Sequence, residues 1–150
     1  MIIAIGADHG GYEYKEFIKK NVANCTFVDV GAKELNSSDD YTEFSFSVAE
    51  KVKEGQADLG IMICRTGVGA VVAMNKVPTI RAGVLETTKG VILARSKNNI
   101  NCLSFGADNI SKRKAKKIVE LFMSTPFSGG RHERRVNQIA DYERGLYEEK

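Results

Sequence analysis

The sequence predicts a three-layer α/β/α sandwich, a five-stranded parallel sheet held between two layers of helices. Three observations carry this. Short, continuously apolar runs alternate with segments of helical periodicity, most runs lead into a turn of glycine or small polar residues, and 150 residues suffice for one domain over 1–150.

Met1–Ile5 is apolar throughout, as a strand covered on both faces must be. After Gly10-Gly11, the residues Tyr14, Phe17, Ile18 and Val22 recur at helical spacing. Cys25–Val30 reads as a second strand closed by Gly31, and 32–39 as a polar loop. Asp40, with Glu43 three positions on, has the pattern of a capping box. The helix it opens carries Tyr41, Phe44, Val48 and Val52 on one face. Leu59–Cys64 is a third buried strand, and the turn Arg65-Thr66-Gly67-Val68-Gly69 leads into a helix reaching about Asn75. Ile80–Leu85 and Cys102–Phe105 supply the fourth and fifth strands, with a helix near 88–97 between them. Ser111 caps a helix whose apolar face is Ala115, Ile118, Val119 and Phe122. Gly129-Gly130 introduces a charged final helix from about Arg131. Its sparse apolar face (Val136, Ile139, Tyr142) suits packing on a neighbouring subunit.

A net charge of +3 supplies no general attraction for nucleic acid or a membrane surface. The basic run at 112–117 reads as a solvated helix face, with no RNA-reading aromatics beside it. Three cysteines without paired metal spacing argue against a disulfide framework. The apolar start has no basic leader, and no apolar run approaches the roughly 20 residues of a bilayer span. The expectation is a reduced, cytoplasmic protein with neither nucleic-acid nor membrane partner.

In an open parallel sheet, ligands bind beyond the carboxyl ends of the strands, where the strand order reverses. Two strand ends are rich in functional groups: Asp8-His9-Gly10-Gly11 and Cys64-Arg65-Thr66-Gly67-Val68-Gly69. If strands one and three are neighbours, these loops meet over one crevice. Glycines let backbone amides crowd an anion, which suits a phosphate or the oxyanion of an enediolate. A thiol at Cys64 would lie beside helix-terminal amides, which favour a thiolate able to act as base on a carbon acid; a small core cysteine is the alternative. Cys25 and Cys102, inside apolar strands, read as core. With two histidines, His9 and His132, zinc ligands are scarce. Arg131 and Arg135, four apart on one helix face, form either a fork for phosphate or a solvated face.

Taken together, the segments resemble the family of type B ribose-5-phosphate isomerases and galactose-6-phosphate isomerases. The resemblance runs from residue 2 to about 139. It rests on Ile5-Gly-Ala-Asp-His-Gly-Gly-Tyr12, Asp40-Tyr41, Ala57–Gly69, Asn75-Lys-Val-Pro78, Ile80-Arg-Ala82, Ala94-Arg95, Asn98, Asn101 and Gly129–Val136 in that order. It implies a Rossmann-like sheet, active sites at a homodimer interface (with a tetramer open), no metal or organic cofactor, and a phosphorylated sugar isomerised through a cis-enediolate. By position, Cys64 would be the base. Thr66 and the amides of Arg65, Gly67, Val68 and Gly69 would hold the oxyanion, and Asp8 would orient sugar hydroxyls. His9, Arg131 and Arg135 would grip phosphate, the arginines from the other subunit; Asn98 would contact the carbonyl end, and Tyr41 would line the site. The chain departs from the family pattern at four places. Lys97 stands where a ring-opening histidine is usual, Arg65 where a glycine follows the cysteine, Asp108 where some members carry arginine, and Thr42 where proline follows Asp-Tyr. The expected reaction is ribose 5-phosphate to ribulose 5-phosphate. The alternatives are a six-carbon sugar phosphate, with this chain as one subunit of a hetero-oligomer, or a non-catalytic sugar-phosphate binder.

Overall fold

A computed structural model describes residues 1–149. Along the chain run β1 (Ile2–Ala7), α1 (Tyr12–Asn21), β2 (Thr26–Asp29), α2 (Tyr41–Lys53), β3 (Leu59–Cys64), α3 (Val68–Met74), β4 (Ala82–Val84), α4 (Thr88–Asn98), β5 (Cys102–Gly106), α5 (Lys112–Ser124) and α6 (Arg131–Glu143). The sheet is parallel throughout, in the order β2-β1-β3-β5-β4. Each expected strand and helix is present. β4 is shorter than its apolar run suggested, because Ile80 leaves the sheet to pack beneath Val77 and Met74 while Arg81 pairs with the Asn101 side chain.

The strands' alternation of side chains splits the core in two. Ile3, Ile5, Ile61, Ile63, Leu103 and Phe105 face α1 and α5, together with Val91 of α4. Ala4, Met62, Cys64 and Cys102 face α2 and α3. Burial pushes the Cys102 thiol up to about 12, so it behaves as a small apolar side chain. Ser111 accepts a hydrogen bond from the Lys114 amide, the predicted N-cap of α5. The capping box does not form: Asp40 occupies the cap position of α2 but its carboxylate bonds no helix amide. Among the described residues, no helix is long and apolar enough to cross a membrane.

One ion-pair cluster anchors the loop after β2. Lys15, fully buried on α1, donates to Asp29 Oδ2 at 2.9 Å and to the Ala32 carbonyl, and Lys19 reaches the same carboxylate at 2.7 Å. Burial alone would raise the Asp29 carboxyl, but hydrogen bonds from Lys19 and Lys15 outweigh it and hold the group below its ordinary range. A carboxyl depressed in the fold stabilises fully above its unfolded value, and that contribution drains away as pH falls through the folded one. Asp29→Asn is therefore expected to destabilise by about 3 kcal/mol at neutral pH, because it strands the Lys15 ammonium. Thermal melts should show the gap between variant and parent narrowing as the parent is acidified below the usual carboxylate range.

Candidate active site

The strand order reverses between β1 and β3, so the crevice expected at a switch point opens over their carboxyl ends. Ala7 pairs with Ile63, so Asp8, the first residue past β1, stands beside Cys64, the last residue of β3. Parallel strands lie about 4.8 Å apart, and the two loops they feed share one floor.

Cys64 ends a strand buried along its whole length and is itself 5% exposed. The chain then turns through Gly67, whose φ of +81° is a left-handed conformation that favours glycine. That turn aims the Gly67 amide at Cys64 Sγ, 3.1 Å away, so the sulfur accepts a backbone hydrogen bond at the strand tip. Thr66 is exposed, and its Oγ1 accepts from the Val68 amide at 3.4 Å. The Tyr41 ring lies against Gly69, where a Cβ would meet it at 2.6 Å. Strand β3, α3 and the head of α2 are thereby locked around the sulfur.

On the β1 side, Asp8 Oδ1 accepts from the amides of Gly10 (3.0 Å) and Gly11 (3.2 Å), which fixes the turn. Burial raises the Asp8 carboxyl above its ordinary value, opposed by the Gly11 amide and by His9. His9 Nδ1 bonds Asp39 Oδ1 at 2.7 Å, leaving Nε2 as the ring nitrogen for a ligand. Asp39 was not singled out from the sequence. The only signal was the doubled Asp39-Asp40, and the capping pattern drew attention to the wrong member. Asp8, His9 and Asp39 bring oxygen and nitrogen atoms within 4.8 Å of one another. His9 Nδ1 and Asp39 Oδ1 are spent on each other and Asp8 Oδ1 on two amides, so the cluster is a prebuilt hydrogen-bond frame. Glu86, also unforeseen, braces the neighbouring strand end by accepting from the Gly106 amide at 3.0 Å and the Asn109 side chain at 2.9 Å.

The remaining expected residues lie elsewhere. α4 runs antiparallel to the strands, and its end is tied to the opposite edge of the sheet. The Asn99 carbonyl accepts from Arg81 Nε, just ahead of β4, and the Asn101 carbonyl accepts from the amide of Gly60 near the start of β3. Lys97 and Asn98 are thus about 16 Å, the length of α4, from the carboxyl edge. The loop into α6 is pinned there too, the Ser128 amide donating to the Ser96 carbonyl. The His132 imidazole is held below its ordinary value by desolvation and by the charges of Arg131, Arg135 and Lys97, which places these cations together. Lys97, Asn98, Arg131 and Arg135 are exposed. Within one chain the two groups of expected residues therefore lie at opposite edges of the sheet.

Comparison with known proteins identifies the family. The family model described as Ribose/Galactose Isomerase matches residues 3–139. The ribose-5-phosphate isomerase B of Escherichia coli is 38% identical over 143 residues, covering 94% of this chain and 95% of that protein. The structure of Clostridium thermocellum ribose-5-phosphate isomerase B superposes with a TM-score of 0.90 at 40% identity, over 97% of this chain and 99% of that one. The Mycoplasma genitalium enzyme, solved with bound ribulose-5-phosphate, superposes at 0.92 with 38% identity, over 95% and 96%. With sequence, fold and nearly full-length coverage in agreement, the chain belongs to the ribose/galactose isomerase family.

Proposed function

We propose that this protein interconverts ribose 5-phosphate and ribulose 5-phosphate, with Cys64 as the base and no metal or organic cofactor. The observation that carries the reading is the sulfur at the tip of β3, hydrogen-bonded by the Gly67 amide, next in sequence to Arg65, which with His9 and Gly10 lines a polar cavity. The Cys64 thiolate takes the proton from C2 of the open-chain aldose. O1 gains a proton as O2 loses one, and the thiol returns its proton to C1, giving the ketose. Thr66 and the amides of the 65–69 turn stabilise the negative charge that develops on these oxygens. Asp8 orients the sugar hydroxyls, while His9 Nε2 and Arg65 meet the phosphate.

The other half-site comes from a second copy. Lys97 and Asn98 of that copy face the carbonyl end of the sugar, where the lysine donates to the ring oxygen, and Arg131 and Arg135 complete the phosphate grip. Apolar surface around both half-sites supports a homodimer: Val68 and Val72 of α3 are each 57% exposed, and Tyr142 of α6 is 75% exposed. Pairing of dimers into tetramers and a cytoplasmic location fit the same reading. A coupled assay over a panel of aldose phosphates tests it. Turnover of ribose 5-phosphate above the six-carbon substrates is the expected result, and no turnover of any member, ring-closed or open, overturns it.

A further inference from the structure

We propose that Gly10 and Arg65 form a single phosphate-recognition unit, in which the bare backbone at position 10 is what lets Arg65 carry its guanidinium into the substrate cavity. The inference deepens the isomerase reading and rests on it for the ligand, a phosphate monoester. A polar cavity of about 280 Å³ opens beside the β1 turn, lined by His9, Gly10, Glu13, Arg65 and Asp108 among others. Two of these are carboxylates. Glu13 is met by Lys112 Nζ at 4.0 Å, whereas Asp108 has no salt-bridge partner among the described residues. A dianion entering this space would meet Asp108 uncompensated, and Arg65 is the one lysine or arginine among the lining residues.

The course of Arg65 depends on its neighbour. A Cβ built on Gly10 would stand 2.6 Å from Arg65 Cγ, 3.3 Å from Asp8 Oδ1 and 3.4 Å from the Arg65 amide nitrogen. Neither backbone is free to yield. The Gly10 amide is bonded to Asp8, and the Arg65 carbonyl accepts from the Asp108 amide at 3.1 Å. Cγ is one bond from the Arg65 Cβ, so it clears an added methyl only by a change of χ1, which redirects the whole guanidinium. Gly10 is accordingly a positioning residue for the cation, and any side chain there works against phosphate affinity through Arg65.

The test is a double-mutant cycle on the full-length protein, read by KM and kcat for ribose 5-phosphate and by calorimetric binding of inorganic phosphate. Gly10→Ala and Arg65→Gly should each raise KM about tenfold or more and weaken phosphate binding in parallel, with kcat changed less than threefold. The double variant should lie within about twofold of Arg65→Gly alone, because the 2.6 Å contact is then gone and only the milder 3.3 Å and 3.4 Å approaches to Asp8 Oδ1 and the amide of residue 65 remain. Losses that multiply in the double variant, a silent Gly10→Ala, or a silent Arg65→Gly each overturn the proposal. If Gly10→Ala does not fold, the comparison of the double variant with Arg65→Gly decides. The phosphate titration keeps the two readings apart: coupling in binding without turnover sinks the isomerase reading alone, and turnover without coupling sinks this one alone.

Discussion

Cys64→Ala is expected to lower kcat on ribose 5-phosphate by about a thousandfold while leaving KM within a few-fold, since a positioned general base is worth roughly 10² to 10⁴ in rate. The side chain sits at the end of a fully buried strand and makes one polar contact, the 3.1 Å hydrogen bond from Gly67. Alanine removes that acceptor but keeps the Cβ that packs toward α2 and α3, so folding survives. Cys64→Ser is the sharper control. A hydroxyl still accepts from the Gly67 amide yet ionises far less readily than a thiol, so an isosteric change should cost nearly as much rate as truncation. Steady-state kinetics, with a circular-dichroism melt to establish folding, check both. A Cys64→Ala variant within tenfold of the parent would remove the sulfur from the mechanism.

The second large effect concerns the two half-sites. Arg131→Ala combined with Arg135→Ala should leave little turnover at ordinary substrate concentrations, and Cys64→Ala by itself about a thousandth of the parental rate. Mixed under conditions that allow subunits to exchange, the two inactive proteins should recover activity. In a hybrid dimer, one crevice pairs an intact Cys64 with intact arginines from the partner, while the other combines both defects. With random exchange, half the dimers are hybrids and one of their two sites works, so recovery approaches about a quarter of the parental rate. A site built within one chain predicts none, because each chain then keeps its own lesion. The separation of α4's end from the carboxyl edge makes this outcome the expected one. Persistent silence on mixing, with subunit exchange demonstrated by a tag, would return every site residue to a single chain.

How much was legible in advance follows the range of the interactions. Strands β1, β3 and β5 announce themselves because both faces are largely buried, and the one polar side chain among them, Ser104, is buried and donates to the Met62 carbonyl. The edge strand β4 is blurred for the converse reason, since half of its run belongs to a turn that packs elsewhere. Cys64, Gly67 and Asp8 could be picked out locally, each lying where a strand gives way to a turn. Asp39 could not. Its partner His9 is thirty positions away and the contact depends on how the loop after β2 folds back over β1. The buried Lys15 was missed likewise, because a lysine on a charged helix looks solvated until Asp29 and Ala32 are brought against it. The division of Lys97, Asn98, Arg131 and Arg135 from the rest is a property of topology, visible only when helix direction is laid against the sheet.

The alternation along β3 has a consequence for how chemistry is encoded here. Ile61 and Ile63 look toward one core, Met62 and Cys64 toward the other, and the strand stops at the sulfur. A slip of one residue against β1 would exchange the two faces and present Arg65 where the thiol now stands. What keeps a thiol and not a guanidinium at the strand tip is therefore a string of apolar side chains buried in the two cores. Selection for the reaction must act on their parity as much as on the cysteine itself.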